Sequence, residues 1–382
     1  MQLGFACAWA QRPELTWSHT PWNLRAALAD RVEVVDLGID YPPAVRVALK
    51  AACARRHRGQ WVSMWRHSRA ARRYGELAIR RALRERPCDA VLQMQDLAAV
   101  DAPYLLYQDL SYDVLLERAG QPGGLTHFPT LSLAAVHRLR DRQRELYARA
   151  ARVLAMSQWF ADHLVAVSGV PADRVRVVHP GASALRPRDP VVAAQAHARR
   201  MTGPRRRLLF VGKDFHTKAG DAVVAALALL RREYDPQLTL TVAGPDRWPL
   251  PGAIPSGVDF RGRLSVGEVA RLYDEHDLFV LPSRFEGFGI AFVEALAHGL
   301  PCLARRAFAM PEIVTAGVDG DLVDGEDAAG LAARIVGLLG DGELYERVHL
   351  RAPGVAAHYS WGRAADEVLA AARSVAAPPA TQ

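Results

Sequence analysis

Lysine is nearly missing from this chain. Of its 48 basic residues only Lys50, Lys213 and Lys218 are lysines, and the other 45 are arginines. Such a bias most simply reflects coding preference, which turns exposed lysine into arginine wherever positive charge is enough, so a lysine that stays is mildly informative. Cysteine is scarce as well. Cys7, Cys53, Cys88 and Cys302 form no close pairs, which suggests neither a zinc knuckle nor a disulfide framework and makes a reduced, cytoplasmic setting the default expectation. No apolar run approaches the ~20 residues of a membrane span. The opening "MQLGFACAWAQR" places Ala8-Trp9-Ala10 like a cleavage site but lacks a basic n-region, and it reads as a first buried strand. Charge segregation is absent too: the formal charge of +7 arises from 41 acidic residues mixed among 48 basic ones, unlike the basic tail of a nucleic-acid binder.

What the chain has is alternation. Its 382 residues, half of them hydrophobic, suit two domains with their own cores. Short apolar runs alternate with helical patterns, which predicts an α/β architecture with parallel sheets. In the first half the strand candidates are residues 2–8, 32–37, 89–94, 104–108 and 152–157; "ADRVRVVHPGA" then ends in a Pro-Gly break. The polar, proline-bearing "LRPRDPVVAAQAHARRMTGPRRR" that follows reads as a linker. A second series has strands at 207–212, 238–244, 258–262, 277–283 and 301–306. The expected domains are 1–183, 184–358 and a C-terminal helix, 359–382. In such folds ligands sit beyond the carboxyl ends of the strands, so the loops after them should carry the chemistry.

Two of these loops stand out. "FEGFGIAFVEALAHGLP", 285–301, follows a buried strand with a glycine turn and then a helix stopped by Gly299 and Pro301. Backbone N–H groups around Gly287, Phe288, Gly289 and Ile290, with the helix dipole, make a site for a diphosphate. Glu294 lies five residues beyond Gly289, or ~7.5 Å along the helix, an offset suited to ribose hydroxyls. Glu286, on the other side of the turn, can meet hydroxyls of whatever the far phosphate carries. The second loop is "FVGKDFHTKAGD", 210–221, where a strand ends at Gly212 and Lys213 and Lys218 precede a helix. Lysine is a compact charge able to offset the charge building on a leaving diphosphate. The spacing is not a Walker A motif.

Read in order, "FVGKDFHTKAGD", "VAGPD", "VDFRGRLSVGEVARLYDEHDLFVLPSRFEGFGIAFVEALAHGLP" and "MPEIVTAGVDGDLV" resemble the retaining glycosyltransferases of family four, which have the GT-B fold. Further pieces are "AMSQWFADHL", "RVRVVHPGA" and "YSWGRAADEVL", so that the resemblance covers about residues 150–370. It implies two Rossmann-like domains facing each other across a cleft, the first for the acceptor and the second for the nucleotide sugar, with the C-terminal helix crossing back. It also implies that Glu286 contacts donor-sugar hydroxyls, Glu294 the ribose and Lys218 the diphosphate. The implied mechanism is front-face transfer with retention, with the leaving phosphate taking the acceptor proton and no metal or cofactor needed. Two positions depart from the family pattern. Lys213 stands where arginine is usual, which keeps charge without bidentate geometry, and "LLYQDLSYD" offers Asp109 where many members have a histidine. UDP is a slight preference over GDP because it is common. "YDEHD", 273–277, reads as helix capping and solvation rather than a metal site.

In the amino-terminal half, Ser18, His19 and Thr20 occupy the place of the family's glycine-rich loop and are acceptor-side candidates. His19 either binds sugar or phosphate or caps the following helix; Trp17 and Trp22 either stack on a sugar or pack in the core. The strongest basic segment is 54–86. Read as one helix it clusters Trp61, Met64, Trp65 and Ser68, and it is either a solvated face or a surface touching anionic lipid, the former being preferred. The expected partners are a nucleotide-sugar donor and a hydroxyl-bearing acceptor such as a natural product, saccharide or lipid carrier, with no nucleic acid. The alternatives are a sugar-nucleotide epimerase or phosphorylase of the same fold, or a non-catalytic nucleotide- or RNA-binding protein.

Overall fold

The computed structural model describes residues 1–376 apart from 58, 122–124, 126, 127 and 184–188. The chain divides into two compact units, Met1–Gly181 together with the segment from Trp361 onwards, and Ala182–Ser360. Each boundary lies two residues from the position read in the sequence.

The first unit contains strands β1 (Gln2–Ala6), β2 (Glu33–Asp36), β3 (Ala54–His57), β4 (Gln60–Ser63), β5 (Ala90–Met94), β6 (Tyr104–Gln108), β7 (Arg152–Ala155) and β8 (Val175–Val177). Its helices are α1 (Thr20–Ala29), α2 (Pro43–Ala52), α3 (Arg69–Glu85), α4 (Tyr112–Arg118), α5 (Leu133–Arg149) and α6 (Gln158–Ala166). Six strands form one parallel sheet in the order β2-β1-β5-β6-β7-β8. Strands β5 and β6 are buried along their whole length, as a sheet covered on both faces requires.

Segment 54–86 is not one helix. Strands β3 and β4 form an antiparallel hairpin, and α3 begins only after Ser68, whose hydroxyl accepts the Ala71 N–H. Trp61 on the hairpin is therefore 76% exposed while Trp65 is buried. Arginine carries no periodicity to separate hairpin from helix, whereas a serine N-cap does mark a helix start.

The second unit contains α7 (Pro190–Thr202), β9 (Arg207–Val211), α8 (Gly220–Glu233), β10 (Thr239–Ala243), β11 (Val258–Gly262), α9 (Val266–Glu275), β12 (Leu278–Val280), α10 (Ile290–Ala297), β13 (Cys302–Arg305), α11 (Met310–Ile313), β14 (Gly320–Val323), α12 (Ala328–Gly340) and α13 (Gly342–His358). All six strands are parallel, in the order β11-β10-β9-β12-β13-β14. Leu208, Leu209, Phe210, Val242, Phe279 and Phe292 fill the core.

Part of the linker segment lies outside the described residues; the rest is mostly α7. Asp189 caps this helix at Val191, and Pro190 occupies its first turn, where a missing N–H costs nothing. Arg200 is 2% exposed. It donates to the carbonyls of Tyr273 and His276 at the end of α9 and of His298 and Gly299 at the end of α10, so one guanidinium satisfies the orphan acceptors of two helix C-termini.

The final helix, α14 (Trp361–Arg373), belongs to the first unit and buries Ala364, Ala365, Val368, Leu369 and Ala372. Gly181 is packed against Trp361 so closely that an added Cβ would fall 2.5 Å from the indole. Among the described residues no helix is long and apolar enough to cross a membrane.

Candidate functional site

In the second sheet the strand order reverses between β9 and β12. Ligands of open parallel sheets sit beyond the carboxyl ends at such a switch point. The loops leaving these two strands, 212–219 and 281–289, are the two that the sequence singles out.

The first loop is held by its own side chains. Thr217 Oγ1 donates to Asp214 Oδ2 at 2.8 Å, and the Lys218 N–H returns to the Asp214 carbonyl at 3.0 Å. The Thr217 carbonyl then accepts the N–H of Arg284 at 2.9 Å, which ties the two loops together. Arg284 secures the junction further, with its guanidinium 2.8 Å from Asp221 and 2.6 Å from Glu326. Arg305 shares Glu326 at 2.8 Å.

Lys218 and Glu286 meet across that junction. Lys218 Nζ lies 2.8 Å from Glu286 Oε2, and the two side chains are 17% and 12% exposed. The ammonium also donates to the Phe285 carbonyl at 3.2 Å, while Ser283 Oγ donates to the same Glu286 oxygen at 3.2 Å. Gly212 lies against Lys218: a Cβ there would be 3.0 Å from its Cγ. From the neighbouring strand, Gly244 at φ +124 approaches more closely still, an added Cβ falling 2.6 Å from the Gly212 carbonyl.

Helix α10 starts from Gly289, which is left-handed at φ 104. Among the described residues the N–H groups of Gly289, Ile290 and Ala291 take no backbone partner, and they carry the positive end of the helix dipole. Glu294 sits further along the same helix. Tyr273 of α9 donates its hydroxyl to Glu294 Oε2 at 3.1 Å. Burial, then the charge of Glu294 and this hydrogen bond, hold the Tyr273 hydroxyl well above its ordinary pKa, so it remains a donor. The His298 ring lies 5.5 Å from the Tyr273 ring, and its Nδ1 is 3.0 Å from Asp274 Oδ1.

"YDEHD" is thus a buried network and not a solvated cap. Besides the pairs made by Tyr273 and Asp274, His276 Nε2 is 2.7 Å from Thr241 Oγ1, and burial lowers its pKa to about 4. Asp277 accepts the backbone N–H groups of Arg206 and Arg207, each at 2.9 Å. Because a strand follows at once, the segment enters the core, which short polar runs do not announce.

The other candidates are placed as follows. Lys213 is exposed; Gly287 and Phe288 are buried; Ile290 is partly covered. In the first unit, Asp109 directly follows β6 and is half-buried, Ser18 and His19 lie between β1 and α1, and Thr20 is the first residue of α1. Trp17, Ser18 and His19 are all left-handed, at φ 40, 54 and 67, a run that costs of order 1 kcal/mol or more per residue without glycine. His19 occupies the N-cap position of α1 but makes no capping hydrogen bond. Trp22 is 45% exposed and meets Trp9 edge-on at 6.4 Å, whereas Trp9 itself stacks on the buried Phe5 at 6.0 Å. Tyr273, Ser283 and Arg284 are the site residues that sequence reasoning missed. Each reaches its partner only through the fold.

Two parallel α/β sheets, the second with a phosphate-ready helix end at its switch point, define the GT-B class. Within it, residues 205–341 match the family described as Glycosyl transferases group 1, and the chain carries such a domain. It is 34% identical over 244 residues to a D-inositol 3-phosphate glycosyltransferase of Nocardia farcinica, covering 59% of this chain and 53% of that protein. It is likewise 34% identical over 250 residues to D-inositol 3-phosphate glycosyltransferase 1 of Catenulispora acidiphila, covering 59% and 58%. The matched stretch thus spans little more than half the length of these relatives. Among solved structures, sucrose-phosphate synthase from Thermosynechococcus elongatus is similar over 98% of both chains, with a TM-score of 0.72 at 16% identity. Anabaena HepE in complex with UDP and glucose is similar over 98% of this chain and 100% of its own, with a TM-score of 0.65 at 16% identity. These likenesses establish the fold.

Proposed function

We propose that the chain is a retaining glycosyltransferase that moves a sugar from a nucleoside-diphosphate donor, a UDP-sugar first among them, to a hydroxyl of an acceptor. The observation that carries this is the Lys218–Glu286 pair at 2.8 Å beside the open N-terminus of α10, with Glu294 oriented further along the same helix. A diphosphate at the helix end would take hydrogen bonds from the first-turn amides and charge from Lys218. Glu294, steadied by Tyr273, would accept the ribose hydroxyls. Glu286 would exchange part of its pairing with Lys218 for hydroxyls of the donor sugar.

In the transfer the bond from the anomeric carbon to the diphosphate oxygen breaks as charge builds on the leaving group beside Lys218. The acceptor oxygen attacks from the same face, and its proton passes to the leaving phosphate oxygen. No resident metal or cofactor is required. The second unit serves the donor; the first, with Asp109 and the loop of Ser18, His19 and Thr20, serves the acceptor. The likeness to D-inositol 3-phosphate glycosyltransferases puts inositol 3-phosphate first among acceptors to assay.

Calorimetric titration with UDP, GDP and ADP, without divalent metal, tests the donor site. One nucleotide binds the wild type, and Glu294→Ala weakens it tenfold or more. A folded wild-type protein that binds none of the three overturns the proposal.

A further inference from the structure

Loop 281–289 holds Glu286 against Lys218 although it is neither strand nor helix. Irregular backbone is steadied by whatever its amides and side chains grip. In this loop the grip is concentrated in Arg284. Its backbone N–H donates to the Thr217 carbonyl at 2.9 Å. Its guanidinium forks onto Asp221, Nη1 to Oδ1 at 2.8 Å and Nη2 to Oδ2 at 2.9 Å, while Nη1 also donates to the His216 carbonyl at 2.6 Å. Nε donates to Glu326 Oε2 at 2.6 Å. Arg284 thus stands two residues before Glu286 and grips the carbonyl two residues before Lys218, so one side chain sets both members of the pair.

Both carboxylates stand on regular structure. Asp221 lies in the first turn of α8, and Glu326 immediately precedes Asp327, whose side chain caps α12 at the Gly330 N–H. Helices α8 and α12 pack on each other. Glu326 Oε2 also accepts Arg305 Nη2 at 2.8 Å, and Arg305 Nε donates to the Pro282 carbonyl at 3.2 Å. The loop is therefore braced at Pro282 and at Arg284 through one carboxylate. The side chains of Arg284 and Arg305 are 18% and 17% exposed, so salt screens these contacts less than it would a surface pair. Burial opposes the charge on Asp221, yet the hydrogen bonds and charge of Arg284 hold its pKa below the ordinary value.

We propose, resting on the donor reading above, that Arg284 is a positioning residue for the transfer, fixing Lys218 and Glu286 relative to each other with Asp221 and Glu326 as its anchors. Its own charge is compensated by these two carboxylates, which leaves Lys218 as the cation for the diphosphate. A planar fork fixes direction as well as distance, which an ammonium cannot do. A misplacement of about 1 Å at such a site costs on the order of 100-fold.

The test is calorimetry on the full chain with the diphosphates and monophosphates of uridine, guanosine and adenosine. It compares wild type with Arg284→Gln, Arg284→Lys, Glu326→Gln, Lys218→Gln and the double variant Arg284→Gln with Lys218→Gln. Arg334→Gln, at an exposed residue of α12 paired with Asp321, controls for general charge. The advantage of diphosphate over monophosphate is expected to fall about tenfold in Arg284→Gln, to be partly kept in Arg284→Lys and Glu326→Gln, and to be unchanged in Arg334→Gln, while monophosphate affinity holds throughout. Once Lys218 is replaced, Arg284→Gln should cost nothing more, because residues that act through one another do not add. Equal losses for the two nucleotides, a loss that adds to that of Lys218→Gln, or the same loss in Arg334→Gln overturns the positioning role. So does a diphosphate advantage that is lost in Lys218→Gln and intact in Arg284→Gln, which leaves the donor reading standing. A folded wild type that binds no nucleotide, or an advantage that survives Lys218→Gln, overturns the donor reading and the positioning role with it. Far-ultraviolet circular dichroism verifies folding, and Glu326→Gln, on a side chain 37% exposed, carries the comparison should Arg284→Gln not fold.

Discussion

The Tyr273 hydroxyl donates to Glu294 Oε2 at 3.1 Å from a neighbouring helix, which orients the carboxylate proposed to meet a ribose. Tyr273→Phe removes that donor and little else. Nucleotide affinity should fall by roughly three- to tenfold, as for the loss of one hydrogen bond to a charged group. The loss should vanish with the 2′,3′-dideoxy nucleotide, and calorimetry with both ligands reads it directly. Equal losses for the two nucleotides would assign Tyr273 to the fold alone.

Glu286 and Lys218 are expected to separate catalysis from binding. Glu286→Gln keeps the shape of the site but loses the charge facing Lys218, and it should lower kcat by about 100-fold, the scale of one lost electrostatic contact in a preorganised site. Nucleotide binding should change little. Lys218→Ala should weaken nucleotide diphosphate binding more than nucleoside monophosphate binding. Initial rates and titrations with UDP and UMP distinguish the two.

Gly244 is not one of the charged residues, yet its substitution should be as damaging. At φ +124, with an added Cβ 2.6 Å from the Gly212 carbonyl carbon, alanine must displace the strand end that carries Lys213. Gly244→Ala should cost about 2 kcal/mol of stability and abolish nucleotide binding while the circular dichroism spectrum stays that of a folded α/β protein.

Arg200 holds two helix ends together. Arg200→Met leaves buried carbonyls of α9 and α10 unpaired and should destabilise by about 3 kcal/mol, read as a lower unfolding midpoint in urea. Arg200→Lys should recover only part of this, because an ammonium cannot reproduce the planar fork.

His276 makes stability fall with acid. Its folded-state pKa is lowered by burial from 6.5 to about 4, so its contribution is fully present above pH 6.5 and is lost as pH falls through 6.5 towards 4. At pH 5 the loss is about 2 kcal/mol relative to pH 7. Urea midpoints measured between pH 7 and pH 5 test this, and the His276 ring resonance should stay in its neutral position across that range.

The parallel sheets were open to reading because buried strands such as β6 are uninterrupted apolar runs. The start of α10 was equally open, since a glycine turn after such a run marks the entry to a helix. Tyr273 was not: it meets a residue 21 positions away, and only the packing of α9 on α10 creates the pair. Segment 54–63 misled because arginine is compatible with either hairpin or helix. Segment 190–202 misled for a different reason. Its proline and polar residues suggest a connector, yet Asp189 followed by Pro190 is a helix start, and the buried Arg200 could not be told from the exposed arginines around it.

Helix α14 gives the chain an order of assembly. Because it covers the first unit with Ala364, Ala365, Val368, Leu369 and Ala372, the amino-terminal core stays uncovered on that side while the whole of 182–360 is being synthesised. The later unit, whose segments are contiguous, can close first on the ribosome, and the earlier one must wait in a partly folded state for the last helix to emerge.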